Sequence, residues 1–187
     1  MILHSNIIGE GKPFIILHGF LGMGDNWKTL ANRFAEAGFE THLVDQRNHG
    51  RSFHHMDFSY KHMAEDLDTY LKYHSIDDIH LLGHSMGGKT AMEFAVERAE
   101  LVDKLVVADI APKAYPQHHQ AILAGLSVLW AATIESRKEA DEVLADYVKE
   151  PGIRQFLLKN LYWKEKGQLD SLTLWEILDK LEHHFRG

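Results

Sequence analysis

Residues Ile79-His80-Leu81-Leu82-Gly83-His84-Ser85-Met86-Gly87-Gly88 decide the fold. The first four form a short apolar run of strand character. Residues 89–99 follow, with Ala91, Phe94 and Ala95 recurring at helical spacing. Between them stands G-x-S-x-G, which in a strand–turn–helix setting reads as a nucleophile elbow. The turn must be sharp to lift a hydroxyl clear of the backbone. Gly83 and Gly87 are therefore expected to flank Ser85 because a Cβ at either place would collide with the turn. The Met86 amide opens the helix and so faces negative charge developing beside Ser85. The same pattern also occurs at plain glycine-rich helix starts, so its neighbours along the chain give it weight.

Those neighbours repeat one theme. Phe14-Ile15-Ile16-Leu17, residues 39–45 and Leu105-Val106-Val107-Ala108 are further runs rich in Ile, Val and Leu, the texture of strands buried on both faces. Ile2 to Ile8 reads as a strand, and Gly9-Glu10-Gly11-Lys12-Pro13 as a turn leading into the Phe14 run as a hairpin. Trp27, Leu30, Ala31, Phe34 and Ala35, then Met63, Leu67 and Leu71, mark amphipathic helices between strands, and Gly38 stops the first. Alternating strands and helices predict a mainly parallel α/β sheet with helices on both faces and a ligand site beyond the carboxyl ends of the strands. Residues 1–112 form this core. From 113 to 187 the chain reads as helix after helix. There, Leu123, Leu126, Leu129 and Trp130 make one apolar face, and Phe156, Leu157, Leu161, Tyr162 and Trp163 make another cluster.

Two other strand ends carry chemistry. His18-Gly19-Phe20-Leu21-Gly22 ends the Phe14 run; Gly19 permits close approach of backbone, and the Phe20 amide is the candidate second oxyanion donor. Asp109 ends the Leu105 run and is the candidate acid that orients a histidine. Asp45, at the end of residues 39–45, is the alternative, with Arg47 and the following turn as structural partners for it.

Taken together, His18-Gly19-Phe20-Leu21-Gly22, Asp45-Gln46-Arg47-Asn48-His49-Gly50-Arg51-Ser52, Gly83-His84-Ser85-Met86-Gly87-Gly88 and Val107-Ala108-Asp109-Ile110-Ala111-Pro112 make residues 1 to about 165 resemble α/β-hydrolases of the YbfF-type esterase group. That resemblance implies an α/β-hydrolase sheet and a helical cap after Pro112. It implies cleavage of small-molecule carboxylic esters or acyl thioesters through an acyl-serine, with no metal and no organic cofactor. It matches the nucleophile to Ser85, the acid to Asp109 and the oxyanion amides to Phe20 and Met86, and makes residues 45–52 chiefly a structural turn near the pocket. His84, Leu21 and Trp163 are the expected substrate-binding residues, the His84 ring pointing away from the hydroxyl. Dehalogenases and epoxide hydrolases of this fold use Asp where Ser85 stands.

The base departs from the pattern. In α/β-hydrolases the triad histidine follows a last strand near the C-terminus. Here residues 170–187 read as an amphipathic helix, and the family pattern is lost after Leu169. None of the 14 histidines takes that place. His18 and His49 sit in turns, where structural hydrogen bonds are expected; His54, His55, His118 and His119 sit in loops, and His183 and His184 near a helix end. The C-terminal strands are expected to be missing, leaving a sheet edge open to self-association. Two rival functions follow: a crippled hydrolase fold that binds a ligand or partner, and a C–C bond hydrolase that shares the elbow.

Composition narrows the field. The chain has 187 residues, 45% of them hydrophobic and 25% charged, which is ordinary for a globular domain. Lys and Arg number 20 against 27 Asp and Glu, for a net charge of −7 and no basic block, which argues against nucleic acid as partner. The absence of cysteine excludes disulfides, thiol nucleophiles and zinc–thiolate sites, and fits a reducing compartment. No leader is visible at the N-terminus, and the longest apolar stretch, residues 121–134, is shorter than the ~20 residues a membrane span needs. The expectation is a cytoplasmic enzyme without a membrane span.

Overall fold

A computed structural model describes residues 1–115, 119–165 and 168–171, with side chains as far as residue 162. The chain divides into a unit of residues Met1–Lys113 and a second that begins at Ala114.

The first unit is built on strands β1 (Ser5–Ile8), β2 (Lys12–Leu17), β3 (Phe39–Val44), β4 (Ile79–His84) and β5 (Val102–Ala108), and helices α1 (Lys28–Glu36), α2 (Tyr60–Tyr73) and α3 (Met86–Glu97). The strands lie in the order β1-β3-β2-β4-β5. All neighbours are parallel except β1, which runs antiparallel to β3. Period-two alternation explains the unbroken apolar run of β2. Ile15 and Leu17 face a core with Leu67, Tyr70 and Leu71 of α2 and Ala91 and Phe94 of α3. Phe14 and Ile16 face the other way, against Ala31 and Phe34 of α1. A strand in mid-sheet with helices on both sides has no wet face, which favours apolar residues along its buried length. Ser59 caps α2 by accepting the His62 amide, and Gly38 at φ 89° ends the segment after α1.

Two expectations about this sheet fail. The turn at residues 9–11 does not close a hairpin: β1 pairs with β3, and β2 enters the sheet on the far side of β3. Lys12-Pro13 opens β2 in parallel register with Phe39-Glu40, so a long crossover rather than a tight turn sets its partner. The Leu105 run is likewise not buried on both faces. Among the described residues strand β5 is the edge, and Leu105 and Val106 are exposed.

In the second unit the helices α4 (Gln120–Ala131), α5 (Arg137–Ala145) and α6 (Pro151–Leu158) precede an antiparallel pair, β6 (Leu161–Glu165) with β7 (Gln168–Ser171). Leu126 and Leu129 are buried as read, while Trp130 is half exposed. Ser136 accepts the Glu139 amide at the start of α5, and Pro151 occupies the first turn of α6, where its missing N–H costs nothing. The helix-only reading fails at residues 161–171. Leu161-Tyr162-Trp163 has the aromatic content of a strand, and three aligned pairs, Leu161 with Ser171, Tyr162 with Asp170 and Trp163 with Leu169, hold it as one. The helix read over residues 170–187 lies, past Ser171, outside the described residues. No helix among the described residues is long and apolar enough to cross a membrane.

The sheet core should tolerate truncation poorly. Ile15 is fully buried, so Ile15→Ala is expected to lower unfolding free energy by about 2–5 kcal/mol in urea titration. Val96→Ala, on a side chain 84% exposed, should change it by less than about 0.5 kcal/mol. Equal effects would contradict the assigned packing.

Candidate active site

Parallel register brings the candidate residues to one end of the sheet. Leu17 of β2 lies beside Val44 of β3 and Gly83 of β4, and Gly83 beside Val107 of β5. The segments that leave these strands, residues 18–22, 45–52, 84–87 and 109, are therefore neighbours. Non-glycine residues with positive φ gather here: Leu21 at 60°, Asn48 at 65°, Ser85 at 51° and Asp109 at 56°, one from each of the four strand ends. Such conformations cost of order 1–3 kcal/mol each and persist only where the surroundings enforce them, which is why they mark functional sites.

Ser85 is half-buried, with φ 51° and ψ −115°, and caps α3. Its amide donates to the Ala108 carbonyl at 3.0 Å, and its carbonyl accepts from Gly88 and Lys89 at 2.9 and 3.1 Å. Both main-chain groups are thus tied, to β5 and to α3, and the strained conformation is held from two sides. The Met86 amide occupies the first position of α3, where a helix supplies no acceptor of its own. A Cβ on Gly83 would collide with the Gly87 carbonyl, within the turn as expected. A Cβ on Gly87 would instead strike the Leu17 and His18 carbonyls. That glycine therefore serves the contact between the elbow and the end of β2 rather than the turn itself.

The same contact sets the other loop. A Cβ on Gly19 would lie 2.8 Å from His84 Nδ1 and 3.3 Å from Ser85 Cβ. The backbone bearing Phe20 consequently passes directly beside the nucleophile candidate. Within the loop Gly22 N donates to Gly19 O at 3.0 Å, and Leu21 N donates to His49 Nε2 at 3.2 Å. Leu21 itself is only 2% exposed, so the structure puts its side chain in the interior and leaves its amide as the useful group.

Asp109 projects from the end of β5 with its side chain 86% exposed. Its Oδ2 lies 3.7 Å from His84 Nε2. The His84 ring stands between this carboxylate and Gly19 and packs at 5.6 Å from the Trp27 ring. No hydrogen bond of the Ser85 hydroxyl is found among the described residues. Asp45, the alternative acid, is committed elsewhere: Oδ1 accepts the Gly24 amide at 2.6 Å and Oδ2 the Arg51 amide at 2.9 Å. Its expected partner Arg47 turns to Asp66 instead, through two bonds of 2.5 and 2.7 Å. The Trp163 side chain lies outside the described residues. Trp27 was missed as a site residue because its helical spacing with Leu30 and Ala31 accounts for it as packing. Among the described residues no three His, Asp or Glu side chains are grouped as a metal site.

Two buried imidazoles underlie the loops. Burial pushes His18 down to about 4 and His49 down to about 3. The unfolded chain protonates both near pH 6.5, so between pH 6.5 and about 4 it binds protons that the folded chain does not. Stability should therefore fall as pH falls through that window, by about 3 kcal/mol per ring at pH 4, and the His49 contribution continues down to about pH 3. Urea midpoints at pH 7, 6 and 5 check this; a flat profile would contradict it.

Comparison with known proteins follows the same lines. The family model described as alpha/beta hydrolase fold matches residues 12–142. The sn-1-specific diacylglycerol lipase ABHD11 of Mus musculus is 40% identical over 179 residues, covering 89% of this chain and 58% of that protein. Esterase YbfF of Escherichia coli is 35% identical over 183 residues, covering 93% of this chain and 72% of that protein. A solved marine microorganism esterase superposes with a TM-score of 0.92 at 41% identity, over 96% of this chain and 71% of that one. The chain spans 51–60% of the length of the first curated relatives it matches.

Proposed function

Because the chain belongs to the alpha/beta hydrolase fold family, we propose that it is a serine hydrolase of carboxylic esters or acyl thioesters, with Ser85 as nucleophile. The observation that carries this reading is Ser85 at φ 51° on the β4–α3 junction, with the Gly19 backbone packed against it. In the proposed cycle Ser85 Oγ attacks the acyl carbon and gives up its proton to an imidazole. The carbonyl oxygen takes the negative charge, and the Phe20 and Met86 amides hold it. The tetrahedral intermediate collapses, the alcohol or thiol leaves with the proton, and water repeats the sequence on the acyl-serine. Asp109 would orient the imidazole and stabilise its charged form. His84 lines the approach to the oxyanion loop, beside Trp27.

A second reading is favoured by one observation. The Asp109 carboxylate is exposed and faces His84, and no imidazole bonds the Ser85 hydroxyl among the described residues. A hydrolase fold without its base binds substrate yet turns it over slowly. Loss of a triad member removes several orders of magnitude in rate, although oxyanion stabilisation leaves a residue of activity. A C–C bond hydrolase shares the elbow and is separated by a substrate panel.

The test is reaction with a fluorophosphonate probe and with p-nitrophenyl acetate. The chain should label, and Ser85→Ala should abolish labelling; labelling that survives the substitution would overturn the nucleophile assignment. Turnover of the ester at rates typical of esterases would reject the binding-protein reading. Labelling with turnover at least about 10³-fold lower would favour it.

A further inference from the structure

Residues 45–52 are packed more tightly than a turn near a pocket requires. Every residue from Thr41 to Gly50 is buried. Asp45 ties the turn to the Gly24 amide, Arg47 ties it to Asp66 on α2 and to the Asp57 and His62 carbonyls, and Asn48 exchanges two bonds with the His55 backbone. From this anchored turn the fully buried His49 ring reaches into the loop that follows β2. Its Nδ1 lies 2.9 Å from the Arg47 carbonyl, which can only accept, so Nδ1 carries the proton. Its Nε2 is left as the acceptor for the Leu21 amide at 3.2 Å. The Phe20 ring meets the His49 ring edge-on at 6.0 Å, and Phe58 packs beside it at 6.2 Å.

His18 repeats the arrangement in the opposite direction. Its Nδ1 donates to Gly19 O at 2.8 Å, and its Nε2 accepts from Gln46 N at 3.0 Å. Gln46 Nε2 returns a bond to the His18 carbonyl at 2.7 Å. The two rings lie 5.2 Å apart. The loop is thus fastened to the turn at His18 and at Leu21, the residues on either side of Gly19 and Phe20. Leu21 needs such fastening, since its φ of 60° is one an L-residue seldom adopts unaided. The charged and titratable groups around the pair are Asp45 and Arg47 on the turn, His54 beyond it, Asp66 on α2 and His84 on the elbow.

We propose that His49 is a positioning residue for the oxyanion loop: by accepting the Leu21 amide at Nε2 it holds the Phe20 amide in place beside Ser85. This rests on the serine-hydrolase reading above and adds to it the part that fixes one oxyanion donor. His49 touches no reacting atom. It acts through Leu21, so its loss should slow bond formation at Ser85 without weakening the preceding encounter with the probe.

The experiment follows fluorophosphonate inactivation over a range of probe concentrations. His49→Phe keeps a ring and loses the acceptor; His49→Gln restores an acceptor near the position of Nε2. His49→Phe should lower the maximal rate of phosphonylation by about 10²-fold, the scale of one mispositioned donor, with half-saturation within about threefold. His49→Gln should recover to within about fivefold. Wild-type rates in folded His49→Phe, an equal loss in both variants, or a loss confined to half-saturation would each overturn the proposal. Nitrogen-15 spectra of the wild-type imidazoles at pH 7 decide the matter if His49→Phe does not fold. An unprotonated His49 Nε2, coupled to the Leu21 amide, supports the clamp, and a protonated one overturns it. If wild-type Ser85 does not react, the serine-hydrolase reading fails, and the same spectra still decide whether the clamp exists.

Discussion

The backbone of Ser85 is the constraint on which the rest depends. A residue with a Cβ is held at φ 51° and ψ −115° where β4 gives way to α3. Its amide is bonded to β5, and its carbonyl is bonded into the first turn of α3. The conformation costs something in isolation, and neighbouring elements supply the compensation. Glycine at 83 lets the turn close, glycine at 87 lets it settle onto the end of β2, and glycine at 19 lets the next loop settle onto it. A side chain at any of the three would push apart the pieces that make position 85 what it is.

This also explains which parts of the molecule could be read from residues alone. The β4–elbow–α3 unit was legible because its determinants are local: an apolar run, two glycines at fixed offsets and a helical repeat. The central strand β2 was legible because burial on both faces favours the unbroken apolar run Phe14 to Leu17. The partner of β1 was not, because a strand does not encode which neighbour it will meet, and β3 arrives after a helix rather than after a turn. The exposure of Leu105 and Val106 was legible only from the expected open sheet edge, not from their own composition. An edge strand and an inner strand can share the same composition, and position in the sheet is a property of topology. Residues 161–171 were read as helix because Leu161 and Tyr162 extend the apolar cluster of α6; the pairing with residues 168–171 is what makes them a strand.

Within the site the same division holds. The glycines, Ser85 and the loop after β2 announce themselves by spacing. The fastening beneath them does not. His49 was legible only as a histidine with structural bonds, and that its partner is the Leu21 amide depends on two loops that meet across 28 positions of sequence. Asp45 and Asp109 both end strands, and the sequence favours Asp109 only because the turn after Asp45 offers that residue structural partners. The structure separates them physically, one carboxylate spent on two backbone amides and the other exposed beside His84. The relatives extend beyond the part that aligns with this chain, which covers 58–60% of their length.

The central claim is that a hydroxyl at position 85 and two main-chain donors converge on one point. The most direct measurement is a crystal structure of the chain after reaction with a phosphonate. The account predicts phosphorus bonded to Ser85 Oγ and its phosphoryl oxygen about 3 Å from both the Phe20 and the Met86 nitrogen. An adduct whose oxygen points to solvent, or one formed on another residue, would contradict it.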